Sequence, residues 1–375
     1  MRVAISVMRP FHVTKMANAL LKHATSVDIW CSAPRKFFRR LDEAVPVHLI
    51  PAPVAVVARL TRHNFSDAWH LPEIVWWDRA VALMMSRADL VIGFATQSLT
   101  TARAAKRRDA RFVLDRACPH VDFQQSLIEV ESEKTGAHFR PQPAWFRERQ
   151  LAEYDIAESI VVPSRYSAQT FPLHQQSKIV IAPLLGRVRT SEAPRHSRSE
   201  TFTVGVLGGH PLRKGYLYLL EAWKKLALPN AQLLIRSSSD FSAYPKLAEL
   251  LAGLPDVKLL EYVPDIAEFY QKCDVFILPS VDDGFGMALF EAMASGVASI
   301  ATRNCGASEL LTDGVDGLVV DAGSVDQLAG AIFALYADAE QRQAIALAGQ
   351  TTVERIASAG LYEKALISIL PPGAK

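Results

Sequence analysis

The feature that most constrains this chain is an alternation: short β-branched runs are separated, almost throughout, by amphipathic stretches of helical period. Strands that read as continuous apolar runs must bury both faces, and helices with one apolar stripe must bury that stripe. A parallel sheet with crossover helices satisfies both demands. Candidate strands fall at residues 3–7, 27–30, 90–93, 112–115, 160–163 and 179–183 in the first half. In the second half they fall at 203–207, 232–236, 257–261, 275–278, 298–302 and 318–320. Between the two sets, residues 186–200 read GRVRTSEAPRHSRSE, polar and aperiodic with a proline, which predicts a linker. The 375 residues make two to three domain lengths at roughly 150 residues each. The expected class is α/β: two doubly wound parallel-sheet domains, 1–185 and 201–375, facing a cleft, with the last helix packing back on the first domain. Ligands of such sheets sit beyond the carboxyl ends of the strands, so chemistry is sought in the post-strand loops.

Composition removes several alternatives. With 50% hydrophobic and 21% charged residues the chain is neither disordered nor fibrous. No apolar run reaches the ~20 residues of a membrane-spanning helix, and MRVAISVMRPFHV lacks the long apolar region of a secretory signal. The four cysteines (Cys31, Cys118, Cys273, Cys305) are widely spaced, which argues against a zinc knuckle or disulfide framework and suits a reducing cytoplasm. The net charge of +2 conceals an asymmetry: residues 1–190 hold 26 Lys and Arg against 17 Asp and Glu, residues 191–375 hold 15 against 22. Only the first half is expected to meet an anionic surface. Its densest basic stretches are Arg35-Lys36-Phe37-Phe38-Arg39-Arg40 and 103–111, which includes Lys106-Arg107-Arg108. Each reads either as a solvated helix face or as a stretch lying on anionic headgroups. No nucleic-acid-binding motif accompanies the charge.

Two loops hold residues of chemical interest. Gly208-Gly209-His210-Pro211-Leu212-Arg213-Lys214-Gly215 follows an apolar strand and precedes a helix with Tyr216, Leu219, Leu220, Trp223, Leu226 and Ala227 on its apolar face. Cations at a helix N-terminus oppose its dipole, so Arg213 and Lys214 there point to an anion sharing the site, or else to a solvated turn. The loop is neither a dinucleotide fingerprint nor a Walker motif, since glycine follows Lys214. The second loop, Asp283-Gly284-Phe285-Gly286-Met287, leads from a strand into a helix that ends at Gly296. Inside that helix Glu291 lies among Met287, Leu289, Phe290 and Met293 with no cation three or four residues away. Such a carboxylate needs donors, which sugar hydroxyls or backbone N–H groups supply. Asp283 is placed to cap the helix or to contact a polyol.

The stretch Asp283–Gly296, D-G-F-G-M-A-L-F-E-A-M-A-S-G, resembles the signature E-G-F-G-x4-E-A-M-A-x-G of the family 4 retaining glycosyltransferases of GT-B fold. The Lys214-Gly215 loop, LLEAW, PNAQLLI, LEYVP, CDVFILPS, residues 306–309 and DGVDGLVV follow in that family's order, over roughly residues 200–340. In the first half the likeness is confined chiefly to EYDIAESIVVPS. The resemblance implies two Rossmann-like domains and a nucleoside-diphosphate sugar held mostly by the second. Glu291 would bind the nucleotide ribose, and Asp283 with the backbone of Gly284, Phe285, Gly286 and Met287 would meet the sugar hydroxyls and distal phosphate. Lys214, with Arg213 beside it, would lie on the diphosphate, and the backbone of Tyr262 and Val263 would read the base. His120, in DRACPHVDF, matches an acceptor-side histidine, and is otherwise a loop histidine with a structural bond. Neither cofactor nor divalent metal is expected, since cations and a helix N-terminus suffice for the leaving diphosphate; Asp313-Gly-Val-Asp316 reads as a turn.

Three departures stand out. Asp283 replaces the family's first glutamate, Gly209 stands where relatives place an arginine, and the loop 8–13 has His12 in place of glycines. The resulting expectation is a cytoplasmic, metal-independent, retaining transferase acting on a saccharide or lipid-linked acceptor in envelope or exopolysaccharide synthesis, peripheral on the inner membrane face. The alternative is a non-catalytic nucleotide-sugar-binding protein of the same fold. A sugar-nucleotide epimerase has only the fold in its favour, and a dehydrogenase lacks its fingerprint.

Overall fold

The computed structural model describes residues 1–54, 67–184, 201–260 and 266–371. Strands β1 (Arg2–Ser6), β2 (Ser26–Cys31), β3 (Val47–Leu49), β4 (Leu90–Phe94), β5 (Arg111–Asp115), β6 (Ser159–Val162) and β7 (Ile179–Ile181) form one sheet in the order β3-β2-β1-β4-β5-β6-β7. Strands β8 (Phe202–Leu207), β9 (Ala231–Arg236), β10 (Val257–Leu260), β11 (Val275–Leu278), β12 (Ala298–Thr302) and β13 (Leu318–Val320) form a second, ordered β10-β9-β8-β11-β12-β13. Pairing is parallel in both, with Val3 opposite Val27 and Leu90, and Val275 opposite Val204 and Ala298. The all-buried pattern of β4, β11 and β12 is what a central parallel strand covered on both faces requires.

Twelve of these strands coincide, within a residue or two, with the runs read from the sequence. The thirteenth, Val47–Leu49, is a three-residue edge strand with His48 at its centre and no buried residue, too short and too polar to register as an apolar run. The 186–200 segment and residues Tyr262 and Val263 lie outside the described residues.

Helices cover both faces of each sheet. Asp67–Met84 and Leu99–Arg107 bury Trp77, Val81, Ala102 and Ala105 on one face of the first sheet. Tyr216–Leu226 and Val325–Ala337 cover one face of the second. A third apolar cluster is continuous from Val3, Ile5 and Ile29 through to Phe276, Phe290 and Met293, so the two sheets share a core across their interface. The last helix, Leu361–Ser368, lies against the first domain: Lys22 Nζ meets Glu363 at 3.4 Å and Arg111 Nη1 donates to Ile369 O at 3.1 Å. Among the described residues no helix is long and apolar enough to cross a membrane.

Candidate functional site

In the second sheet the chain leaves β8 toward β9 on one side and β11 toward β12 on the other. The loops after β8 and β11 therefore diverge and leave a crevice between them, the position where ligands of such sheets bind. The two loops interlock. Val281 N and Asp282 N both donate to Arg213 O, at 2.9 and 3.2 Å. Gly215, at φ +65°, caps the helix Tyr216–Leu226, and a Cβ there would stand 2.0 Å from Pro279 O. Only glycine permits that approach.

The side chains of this crevice are charged and paired. Arg213 Nε donates to Asp282 Oδ2 at 2.7 Å, and Lys214 Nζ donates to Asp283 Oδ2. His210 shares the loop, and burial, then the Arg213 and Lys214 charges, push its pKa down. The two aspartates differ. Asp282 is fully buried and also accepts from Gln124 Nε2 (2.9 Å) and Tyr166 OH (3.3 Å) of the first domain. Asp283 is part-exposed. It does not cap the following helix Met287–Ala294, whose N-cap is Gly286 with no side-chain cap bond. Of the two, Asp283 is the carboxylate that an incoming anion can displace from its cation.

The loop bearing Asp283 is held from behind by residues 304–307. Asp283 N donates to Asn304 O (3.0 Å), Gly306 N to Asp283 O (3.1 Å) and Ala307 N to Phe285 O (2.6 Å). Phe285 stacks on Phe290. Glu291, half-buried one helical turn on, accepts from Tyr270 OH at 3.1 Å, yet burial still holds its carboxyl above the usual range. Tyr270 was not legible as a partner, because it reaches Glu291 from a different helix, Ile266–Gln271.

The first domain presses on the same loop. Ser164 Oγ and Ser167 Oγ donate to Gly284 O at 2.6 and 3.2 Å, and a Cβ on Gly284 would lie 2.3 Å from Ala117 O. His120, three residues beyond Ala117, caps the helix Val121–Thr135: its Nδ1 accepts from Asp122 N at 3.2 Å. Its ring packs against Tyr154 and Phe171, and burial lowers its pKa to about 4. With Nδ1 accepting, Nε2 carries the proton of the neutral ring; it is buried and has no partner among the described residues. The corresponding crevice of the first sheet, between the ends of β1 and β4, contains His12, whose Nε2 lies 2.9 Å from Asp115 Oδ2. The structure thus brings Arg213, Lys214, Asp283 and the 284–287 backbone together with Asp282, while the contacts of the His120 ring are with its own helix and with Tyr154 and Phe171.

Residues 201–338 match the family model described as Glycosyl transferases group 1. The capsular polysaccharide biosynthesis glycosyltransferase CapM of Staphylococcus aureus is 30% identical over 164 residues, 42% of either chain. The match thus spans about two fifths of that relative. Among solved structures, the sucrose-phosphate synthase of Thermosynechococcus elongatus superposes with a TM-score of 0.71 at 17% identity, covering 98% of this chain and 97% of its own. Anabaena HepE, solved in complex with UDP-glucose, superposes at 0.69 and 17%, covering 99% and 100%. The fold is GT-B, and residues 201–338 of the second domain are similar to the glycosyl transferases group 1 family.

Proposed function

We propose that this protein is a glycosyltransferase of polysaccharide or lipopolysaccharide assembly, moving a sugar from a nucleoside diphosphate to an acceptor hydroxyl with retention and without a metal. The observation that carries the reading is the pair of cations, Arg213 and Lys214, held over the β8/β11 crevice by adjacent carboxylates. In the reaction the bond between the anomeric carbon and the diphosphate oxygen breaks, a bond to the acceptor oxygen forms, and the acceptor proton passes to the departing phosphate. Charge grows on the diphosphate, where Lys214 and Arg213 stabilise it with the N–H groups of Gly284, Phe285, Gly286 and Met287. Asp283, released from Lys214, takes sugar hydroxyls; Glu291 takes the ribose, and Tyr262 and Val263 the base. His120 positions the acceptor hydroxyl or the donor sugar. The acceptor is a saccharide, lipid-linked and met at the inner membrane face. HepE's ligand makes UDP the first nucleotide to test.

The test is thermal denaturation of wild type and Glu291→Ala with UDP, GDP, ADP, TDP and their sugars. One nucleotide is expected to stabilise the wild type by about 2.7 kcal/mol at a hundred times its Kd, and Glu291→Ala to lose most of that shift. No response to any nucleotide overturns the reading. Binding with neither transfer nor donor hydrolysis supports the second reading, a non-catalytic sugar-nucleotide-binding protein, which the shortened Asp283 and its bond to Lys214 favour.

A further inference from the structure

Four large apolar side chains stand exposed on one helix of the first domain, Asp67–Met84: Trp69 (60%), Trp76 (48%), Leu83 (82%) and Met84 (60%). Trp69, Trp76 and Leu83 are seven residues apart, so they form one line along the helix, about 21 Å long. Two acids of this helix, Glu73 and Asp78, face the other way. Asp78 is fully buried, accepting from the Thr100 and Thr101 N–H groups at 2.6 and 2.9 Å, and Glu73 is buried, accepting from Val54 N. The charged residues exposed beside the apolar line are Arg79 and, past the helix end, Arg87 and Asp89.

The neighbouring helix, Leu99–Arg107, extends the same pattern. It buries Leu99, Thr101, Ala102, Ala104 and Ala105 and exposes Arg103, Lys106 and Arg107. Arg108 staples the two helices at their carboxyl ends, donating to Met85 O at 2.9 Å and Ala82 O at 3.1 Å. That bond sets the basic end of the second helix next to Leu83 and Met84. Among the described residues none of the five cations has a salt-bridge partner, and the nearby Asp89 is already paired with Arg2.

An apolar line one side chain wide, tipped with two indoles and flanked by unpaired cations, matches the cross-section of a bilayer interface. Trp rests at headgroup depth, Leu and Met reach the acyl boundary, and Arg and Lys meet lipid phosphates. We infer that the face made by helices Asp67–Met84 and Leu99–Arg107 docks this protein on an anionic membrane surface. This deepens the transferase reading by naming the surface on which a lipid-linked acceptor is met, and rests on that reading for the acceptor alone. The other basic stretch has a smaller apolar component: Phe37 is exposed at 40% beside Lys36, Arg39 and Arg40, but Phe38 is buried and the Arg35 guanidinium is bound to the Asp42 and Val45 carbonyls.

The full chain is sedimented with phosphatidylglycerol-rich and with pure phosphatidylcholine vesicles, at low and high salt. Wild type is expected to bind the anionic vesicles and to release them as salt screens the charges. Arg103→Gln/Lys106→Gln/Arg107→Gln should weaken binding roughly a hundredfold, and Trp76→Ser/Leu83→Ser roughly tenfold. Neutralising Arg35, Lys36, Arg39 and Arg40 should leave most of the binding in place. Failure of the wild type to bind overturns the inference. So does binding that both helix variants retain, or light scattering in which Trp76→Ser/Leu83→Ser turns a dimer into a monomer. The nucleotide-induced melting shift, measured on the same samples, verifies the fold and separates the two ideas: it reports the donor site whether or not vesicles bind.

Discussion

Asp282 and Asp283 are neighbours of identical chemistry with different surroundings. Asp282 turns into the protein, where Arg213, Gln124 and Tyr166 share its carboxylate; Asp283 turns to the crevice and meets Lys214. The adjacency of two acids was visible in the sequence, but the three donors that immobilise Asp282 come from three distant segments and were not. His120 shows the reverse. Its candidacy rested on a motif position, and the structure adds a capping bond and an apolar wall that hold the ring neutral. Below the ordinary value of 6.5 the unfolded chain takes up a proton that the native imidazole refuses until about 4, so stability present at neutral pH is lost as pH falls through that window. His120→Asn keeps a capping acceptor. It should remove about 2–3 kcal/mol of that acid-side loss, read from urea unfolding at a series of pH values; an unchanged pH slope would show that the ring does not titrate as described.

At the scale of elements, the last helix is the one whose placement has the largest reach. Tyr362 and Leu366, each 1% exposed, and Ile369 beyond them bury against the first domain although they follow the second in the chain. The Tyr362 ring receives Lys15 at 5.2 Å, while its hydroxyl is buried with no partner among the described residues. Tyr362→Ala should therefore cost about 3–5 kcal/mol, and Tyr362→Phe should leave stability unchanged or raise it by about 1 kcal/mol. Calorimetry of both variants decides this; a destabilised Tyr362→Phe would reveal a working partner for the hydroxyl. Strands were legible because buried parallel strands are written as apolar runs, and Val47–Leu49 was missed because an edge strand needs no such run.

For the molecule as a whole, Gly284 is a point of close contact between the two domains. Its carbonyl takes both Ser164 and Ser167, and Glu309 accepts from Arg165 N and Tyr166 N nearby. A methyl at Gly284 meets Ala117 O at 2.3 Å, backbone against backbone. Gly284→Ala should part the domains while each stays folded: the radius of gyration in solution scattering rises and transfer is lost, with nucleotide binding retained in weakened form. An unaltered scattering profile would count against a contact that tight. What the sequence determined by itself was whatever is written locally: two parallel sheets from apolar runs, the loops after β8 and β11 from their glycines and charges, and Glu291 as a carboxylate with no cation three or four residues away on its own helix. Which donors meet Glu291 and Asp282, and how Gly284 meets Ala117, were decided only by the tertiary structure. Each is a contact between segments far apart in the chain, and no local pattern of residues records where a distant one will arrive.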